Sequence, residues 1–186
     1  KKNSIVLDIG SNDGTCLEYF KKKGLNVIGI DPAKLACEQA NKRGIKTIND
    51  FFNKRTANNI KNEYGEVDFI TSHNVLAHTE NINDIFNSIF NILKTNGYFC
   101  FEIGYFKSVL DNNYFDTVYH EHLDYHHASP LVKFLKSLGF TIENLSTNNI
   151  QGGTLRILAK KGSKIKKNSL SVRNFLQNEK IFFNKK

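Results

Sequence analysis

The segment Val6-Leu7-Asp8-Ile9-Gly10-Ser11-Asn12-Asp13-Gly14, with Asp31 placed 21 residues beyond Gly10, constrains the fold more than any other feature of this chain. An apolar run ends in a turn of small residues and a helix pattern follows. A second apolar run, Val27-Ile28-Gly29-Ile30, then stops at an acid. This is the layout of a β-α-β unit that holds a nucleoside-type ligand. The glycines let the backbone approach the ligand, and the acid at the second strand's tip accepts hydrogen bonds from ribose hydroxyls.

The spacing is Asp-x-Gly-x-x-x-Gly, not the Gly-x-Gly-x-x-Gly of dinucleotide sites. Asn12 stands where that pattern has its second glycine, whose purpose is to admit a pyrophosphate. A ligand with ribose and adenine but no pyrophosphate is favoured, and S-adenosylmethionine fits that description. The helix after Gly14 aims its N-terminal amides at the ligand, where a methionyl carboxylate can sit. Asp8, at the strand's end, suits binding the ammonium or ordering water beside it. Asp50 and Phe51 follow the third strand on the same edge, so a carboxylate there can accept from the adenine amino group while the ring covers the base.

Strand and helix patterns alternate along the chain, which predicts an α/β fold: a Rossmann-like, seven-stranded, mostly parallel, doubly wound sheet. Strands are expected at residues 4–9, 26–30, 46–48, 67–72, 98–103, 141–145 and 154–160. Helices are expected at about 15–23, 32–43 (with Pro32 in the first turn), 55–62, 82–94 and 130–138. Asn96-Gly97 reads as the turn into the fifth strand, and residues 104–127 as a loop. The polar turn at 146–153 suggests a hairpin, which makes the last strand antiparallel. Residues 1–162 read as the main domain. Residues 163–186 read as a basic connection and an amphipathic helix with Leu170, Phe175, Leu176, Phe182 and Phe183 mostly on one side.

The chain has 186 residues, 40% apolar, which suits one domain with a sizeable core. No apolar run approaches 18 residues, so a transmembrane helix is not expected. There is no signal-peptide pattern. With no methionine anywhere, Lys1 is not an initiator, and the chain is expected to be a piece of something longer or a processed product. The net charge of +8 favours an anionic partner. Cys16, Cys37 and Cys100 are odd in number and widely spaced, which argues against a disulfide framework and suits a reducing cytoplasm.

Further blocks stand out: Asn74-Val75-Leu76-Ala77-His78, then Phe115-Asp116-Thr117-Val118-Tyr119-His120-Glu121-His122, then Gly152-Gly153-Thr154-Leu155-Arg156. Together with the first-strand motif and Gly29-Ile30-Asp31-Pro32, they give a sequence that resembles the class I S-adenosylmethionine-dependent methyltransferases. More narrowly, it resembles the sugar C-methyltransferases acting on nucleotide-linked deoxy-keto-sugars. The Tyr-His-Glu-His block is the most specific of the motifs, and the resemblance covers about residues 4–160. It implies a cofactor-binding set of Asp8, Gly10, Ser11, Asn12, Gly14, Asp31, Pro32, Asp50, Phe51 and Asn74, with S-adenosylhomocysteine as product. It also implies His122 as general base, Tyr119 and Glu121 beside it, and His78 reaching in from the fourth-strand loop. Members of that family carry an N-terminal cysteine-rich zinc module and a further C-terminal domain, neither of which is seen in this sequence.

All six histidines fall between His73 and His127, after the fourth and fifth strands, where an open α/β sheet binds ligands. Methylating carbon requires a carbon nucleophile. A ketone beside the target carbon makes a proton removable, and histidine, with an ordinary pKa near 6.5, suits the task. The rival readings are a small-molecule O-methyltransferase and a cofactor-binding core without catalysis. Nucleic-acid methylation is disfavoured because Ser72-His73-Asn74-Val75 is not the Asn/Asp-Pro-Pro-Tyr/Phe set of exocyclic-amine methylases. His120, His122, His126 and His127 could chelate, but no further Cys or acid sits at convincing spacing, and no metal ligands are expected in this chain. Glu102 and Tyr105 are candidates to line the substrate cavity, with buried hydrogen bonding an equal alternative for Glu102, and Arg156 to meet a sugar phosphate or a surface ion pair.

Overall fold

The computed structural model describes residues 3–79, 81–117, 124–162 and 167–185, the side chains of 115 and 185 excepted. Seven strands form one sheet: β1 (Ile5–Ile9), β2 (Asn26–Asp31), β3 (Thr47–Asn49), β4 (Val67–His73), β5 (Leu93–Gly104), β6 (Phe140–Asn148) and β7 (Thr154–Lys161). Their spatial order is β3-β2-β1-β4-β5-β7-β6. β1 pairs in parallel with both β2 and β4, and the strand order reverses between those neighbours. Ligands of open α/β sheets bind at such a switch point, beyond the carboxyl ends of the strands. β7 runs antiparallel to both β5 and β6, as the hairpin pattern predicts.

β1 is apolar on both faces because both are covered. Val6 packs with Leu17 of α1 (Thr15–Lys22), Ala40 of α2 (Lys34–Lys42) and Ile45. Leu7 and Ile9 point the other way, into the larger core. That core takes in Ala57 and Ile60 of α3 (Lys54–Tyr64) and Phe86, Ile89 and Ile92 of α4 (Ile82–Ile92). Phe86 is its hub, meeting Phe99, Phe101 and Phe134 edge-on at 5.5–5.7 Å between ring centres. α3 starts at a capping box, with Asn53 Oδ1 accepting from Thr56 N and Thr56 Oγ1 accepting from Asn53 N. The remaining helices are α5 (Phe106–Asn112), α6 (Ala128–Ser137) and α7 (Leu170–Lys185). No described helix is long and apolar enough to cross a membrane.

Four elements differ from the sequence expectation. α2 begins at Lys34, so Pro32 precedes the helix: Asp31 Oδ1 accepts from Ala33 N at 2.8 Å and holds the chain extended there. Asn96-Gly97 does not precede β5 but sits inside it. Val67 pairs with Leu93 and Phe69 with Tyr98, so the chain bulges between them, with Asn96 at φ +68°. The expected loop at 104–127 contains α5 and a 3-10 turn at Phe115–Thr117. α5 is short, and its apolar positions Phe106, Val109 and Leu110 are only half-buried. On α7 the buried side chains are Val172 and Glu179, with Phe175 and Leu176 packed beside the core, while Leu170 is 65% exposed.

Candidate active site

At the carboxyl ends of β1, β2 and β4 lies a cavity of about 360 Å³. Gly10, Asn12, Asp31, Pro32, Phe51, His73, Asn74 and His78 are in its wall. Gly10 has φ +73°, and a Cβ there would lie 2.2 Å from Val75 Cγ2. Glycine is therefore imposed twice at this turn, by conformation and by the neighbour that closes in on it. Asn12 (φ +49°) and Asn74 (φ +54°) also hold left-handed backbone, a conformation that concentrates at ligand sites.

The three acids differ in what holds them. Asp31 accepts from Asn12 N at 2.9 Å through Oδ2 and from Ala33 N through Oδ1. These bonds fix the carboxylate and leave each oxygen a further lone pair for a ligand hydroxyl. Asp8 is 2% exposed and accepts from Thr71 Oγ1 at 2.7 Å. Burial pushes its carboxyl up to about 6, against the downward pull of the Thr71 hydroxyl and of His73. Asp50 accepts from Phe51 N at 2.8 Å and from Arg55 at 2.6 Å. Its acceptor capacity is thus shared with an arginine, and it does not line the cavity. Phe51 does, with 69% of its surface open.

A second cavity, about 340 Å³, adjoins the first. Asn74 and His78 line both. The second is further walled by Tyr105, Asp124, Tyr125, Gln151 and Thr154. His78 comes from the 3-10 turn Leu76–His78 after β4, as the sequence reading placed it. Gln151 is also left-handed, at φ +50°. The floor is braced from behind. Tyr105 donates to Glu179 Oε2 at 2.8 Å, and Glu179 also accepts from His127 Nδ1, Ala128 N, Ser129 N and Ser129 Oγ. Burial and the Glu179 bond together push the Tyr105 phenol far above its ordinary value, so it stays protonated.

From His73, in the wall of the first cavity, a cross-strand chain runs over β4, β5 and β7. His73 and Glu102 are paired neighbours, as are Glu102 and Arg156. Glu102 accepts from Arg156 Nε at 2.7 Å and from Asn148 Nδ2 at 3.2 Å, and its Oε2 lies 3.2 Å from His73 Nδ1. Burial alone would raise the Glu102 carboxyl, but Arg156 and His73 hold it below the usual range.

Of the sequence-predicted residues, Gly10, Asn12, Asp31, Pro32, Phe51, Asn74 and His78 come together in one cavity wall. Ser11 and Gly14 support the turn from within. The Ser11 hydroxyl lies over Gly29, where a Cβ would be 2.4 Å away, and a Cβ on Gly14 would meet Ile45. Tyr119, Glu121 and His122, with His120, lie outside the described residues. Of the two roles open to Glu102, the structure shows buried hydrogen bonding, to His73 and Arg156 and outside both cavity walls, and Arg156 accordingly makes an ion pair with a protein carboxylate. Sequence reasoning missed Thr71 and Glu179, and it quoted Val75 in a motif without its role against Gly10. The only signal for Glu179 was an acid on the otherwise apolar side of a C-terminal helix.

Residues 1–145 match a family model described as a methyltransferase domain. Over 155 residues, 83% of this chain, the sequence is 32% identical to C-methyltransferase NovU of Streptomyces niveus. That match covers 37% of NovU, so the chain spans a little over a third of the length of this curated relative. Among solved structures, magnesium protoporphyrin IX methyltransferase (ChlM) from Synechocystis PCC 6803, with bound S-adenosylhomocysteine, has a TM-score of 0.66 at 14% identity, covering 86% of this chain and 75% of its own. An S-adenosylmethionine-dependent methyltransferase from Mesorhizobium loti has a TM-score of 0.65 at 13% identity, covering 86% and 92%. At such identities the likeness is one of fold.

Proposed function

The chain belongs to the methyltransferase-domain family, and from that premise we propose that it carries a methyl group from S-adenosylmethionine to a carbon beside the ketone of a nucleotide-linked deoxysugar. The observation that supports this most is the pair of cavities meeting at Asn74 and His78. Methyl transfer needs two ligands face to face, and here two ligand-sized spaces share one wall. Each lies in the range of roughly 300–1,000 Å³ common for small-molecule sites. The identity with a C-methyltransferase over most of this chain favours carbon as the acceptor. The net charge of +8 suits a phosphorylated one.

The residues of the first cavity fit the cofactor. Gly10 keeps its turn open where a methyl would collide with Val75, and one acid, Asp31, stands in the wall at the tip of β2, while Asp8 is buried near the end of β1 outside the lining. Asp31 would hold the ribose hydroxyls, Phe51 and Pro32 the adenine, Gly10, Asn12 and Asn74 the backbone approach, and Asp8 the ammonium. When bound, the cofactor supplies an electrophilic methyl on a sulfonium.

The rest falls to the chain's own side chains. His122 removes the proton from the carbon next to the ketone, leaving the electron pair shared between that carbon and the ketone oxygen. His78 and Tyr119 donate hydrogen bonds to the oxygen, and Glu121 binds a sugar hydroxyl or orients the imidazole. Holding two substrates in line is worth roughly 7–11 kcal/mol, and a positioned base about 10²–10⁴-fold in rate, so positioning outweighs proton removal.

The test is release of S-adenosylhomocysteine when the chain is given S-adenosylmethionine and a nucleotide-linked keto-sugar, with mass spectrometry of the sugar. A product heavier by one methyl, with that methyl on ring carbon by NMR, is the expected result. Methylation at oxygen, or tight cofactor binding without turnover on any keto-sugar, would overturn it.

A further inference from the structure

Asp8 at the end of β1, Cys16 in the first turn of α1 and His73 at the end of β4 converge from three elements. Each offers one ligand atom, and the three atoms lie within 4.8 Å of one another. The Cys16 Sγ–His73 Nε2 separation is 3.8 Å. A tetrahedral zinc with Zn–S of about 2.3 Å and Zn–N of about 2.0–2.1 Å sets those two atoms ~3.5 Å apart, so a few tenths of an ångström closes the pair on a metal.

The imidazole is already oriented for ligation. Its Nδ1 faces the Glu102 carboxylate at 3.2 Å, and Glu102 is itself held by Arg156 and Asn148. A carboxylate accepting from Nδ1–H fixes the tautomer with the Nε2 lone pair free, and that nitrogen points at the thiol. Asp8 is buried and has Thr71 on one oxygen, Oδ1. His73 borders the first cavity, which leaves a fourth direction open to water or a ligand.

We propose that Asp8, Cys16 and His73 form a site for a soft-to-borderline divalent cation, zinc by its mixed O, S, N donor set, which competes with the amino-acid end of the cofactor. Metal binding itself stands on the cluster's geometry; the competition rests on the reading that Asp8 meets the cofactor ammonium. Thr71 occupies Asp8 Oδ1, so the metal and the ammonium contend for Oδ2. Ligation releases the Cys16 proton to solvent and forms the metal–sulfur bond, with no change of oxidation state.

The experiment uses the full chain, freed of metal with a chelator and titrated with Co²⁺ as the visible stand-in for zinc. A thiolate-to-cobalt charge-transfer band reaching one equivalent is expected. It should be absent in Cys16→Ala and kept in Cys100→Ala, with melting curves showing both variants folded. His73→Asn should weaken Co²⁺ binding at least about tenfold, the scale on which even the partners behind a metal ligand act. S-adenosylhomocysteine should then bleach the band stoichiometrically, and Zn²⁺ should weaken its calorimetric affinity for the metal-free chain. No band in the parent, or a band surviving in Cys16→Ala, overturns the metal site. S-adenosylhomocysteine binding that leaves the band intact overturns the competition. Calorimetry on the metal-free chain reads the proposed cofactor independently, so failure of the metal and failure of the cofactor give different results.

Discussion

Gly10 is the position where backbone, packing and ligand site constrain one another most tightly. Its φ of +73° disfavours any side chain, and Val75 Cγ2 occupies the place a methyl would need. Gly10→Ala is expected to cost on the order of 1–3 kcal/mol in urea unfolding and to abolish S-adenosylhomocysteine binding by calorimetry. Adding Val75→Ala removes the clash but not the left-handed strain, so the double variant should recover only part of the loss. Full recovery would show that the conformation imposes nothing. The glycine was readable from its motif, whereas Val75 lies 65 residues further along and carries no signal of its role. For the base, His122→Asn should lower turnover by about 10²–10⁴-fold in single-turnover assays while leaving cofactor affinity unchanged. Turnover within a few-fold of the parent would remove His122 from that role.

Among the elements, α7 reaches the site through Glu179, which holds Tyr105 of the second cavity. Glu179, 2% exposed, gathers the N-terminal amides of α6, Ser129, His127 and Tyr105 on one carboxylate. A buried anion at a helix N-terminus is well placed, both for the free amides and for the helix dipole. Burial works against its charge, but hydrogen bonds from Ser129, His127, Ala128 and Tyr105 outweigh it and hold the carboxyl below its usual range. A lowered folded value means that its stabilisation is complete above the ordinary glutamate value of about 4.3 and is lost as pH falls through the folded value. The groups facing it are Tyr105, His127 and Ser129, with Arg173 and Lys180 of its own helix along the same groove. Urea unfolding should show Glu179→Gln about 1–3 kcal/mol less stable at pH 7, with the gap narrowing toward pH 3.5. An equal gap at both pH values would place the effect in packing alone. Apolar spacing predicted a helix here, and the helix is there. Its docking face was legible in part: Phe175 and Leu176 of the expected apolar side pack against the core, whereas Leu170 is exposed and the charged Glu179 is buried. α5 was illegible because it is only seven residues long, and its apolar positions Phe106, Val109 and Leu110 are half-buried.

On the scale of the whole molecule, the alternation of strand and helix patterns carried the sheet, because each parallel strand covered on both faces reads as a continuous apolar run. The spacing of motifs could not carry the meeting of two cavities at one wall, since that depends on how the segment after β4 folds back between β1 and β5. This wall makes a separable prediction. Phe51 borders the first cavity and not the second, Val109 the second and not the first, and His78 both. Phe51→Ala should weaken S-adenosylhomocysteine by calorimetry, losing on the order of 1–3 kcal/mol of stacking on the base, and leave the acceptor KM where it was. Val109→Phe should raise the acceptor KM by filling its space and leave cofactor affinity unchanged. His78→Ala should move both, because its side chain is shared. If Phe51→Ala raised the acceptor KM as much as Val109→Phe does, the two spaces would act as a single site, and the face-to-face arrangement that methyl transfer requires would have to be sought elsewhere on the sheet.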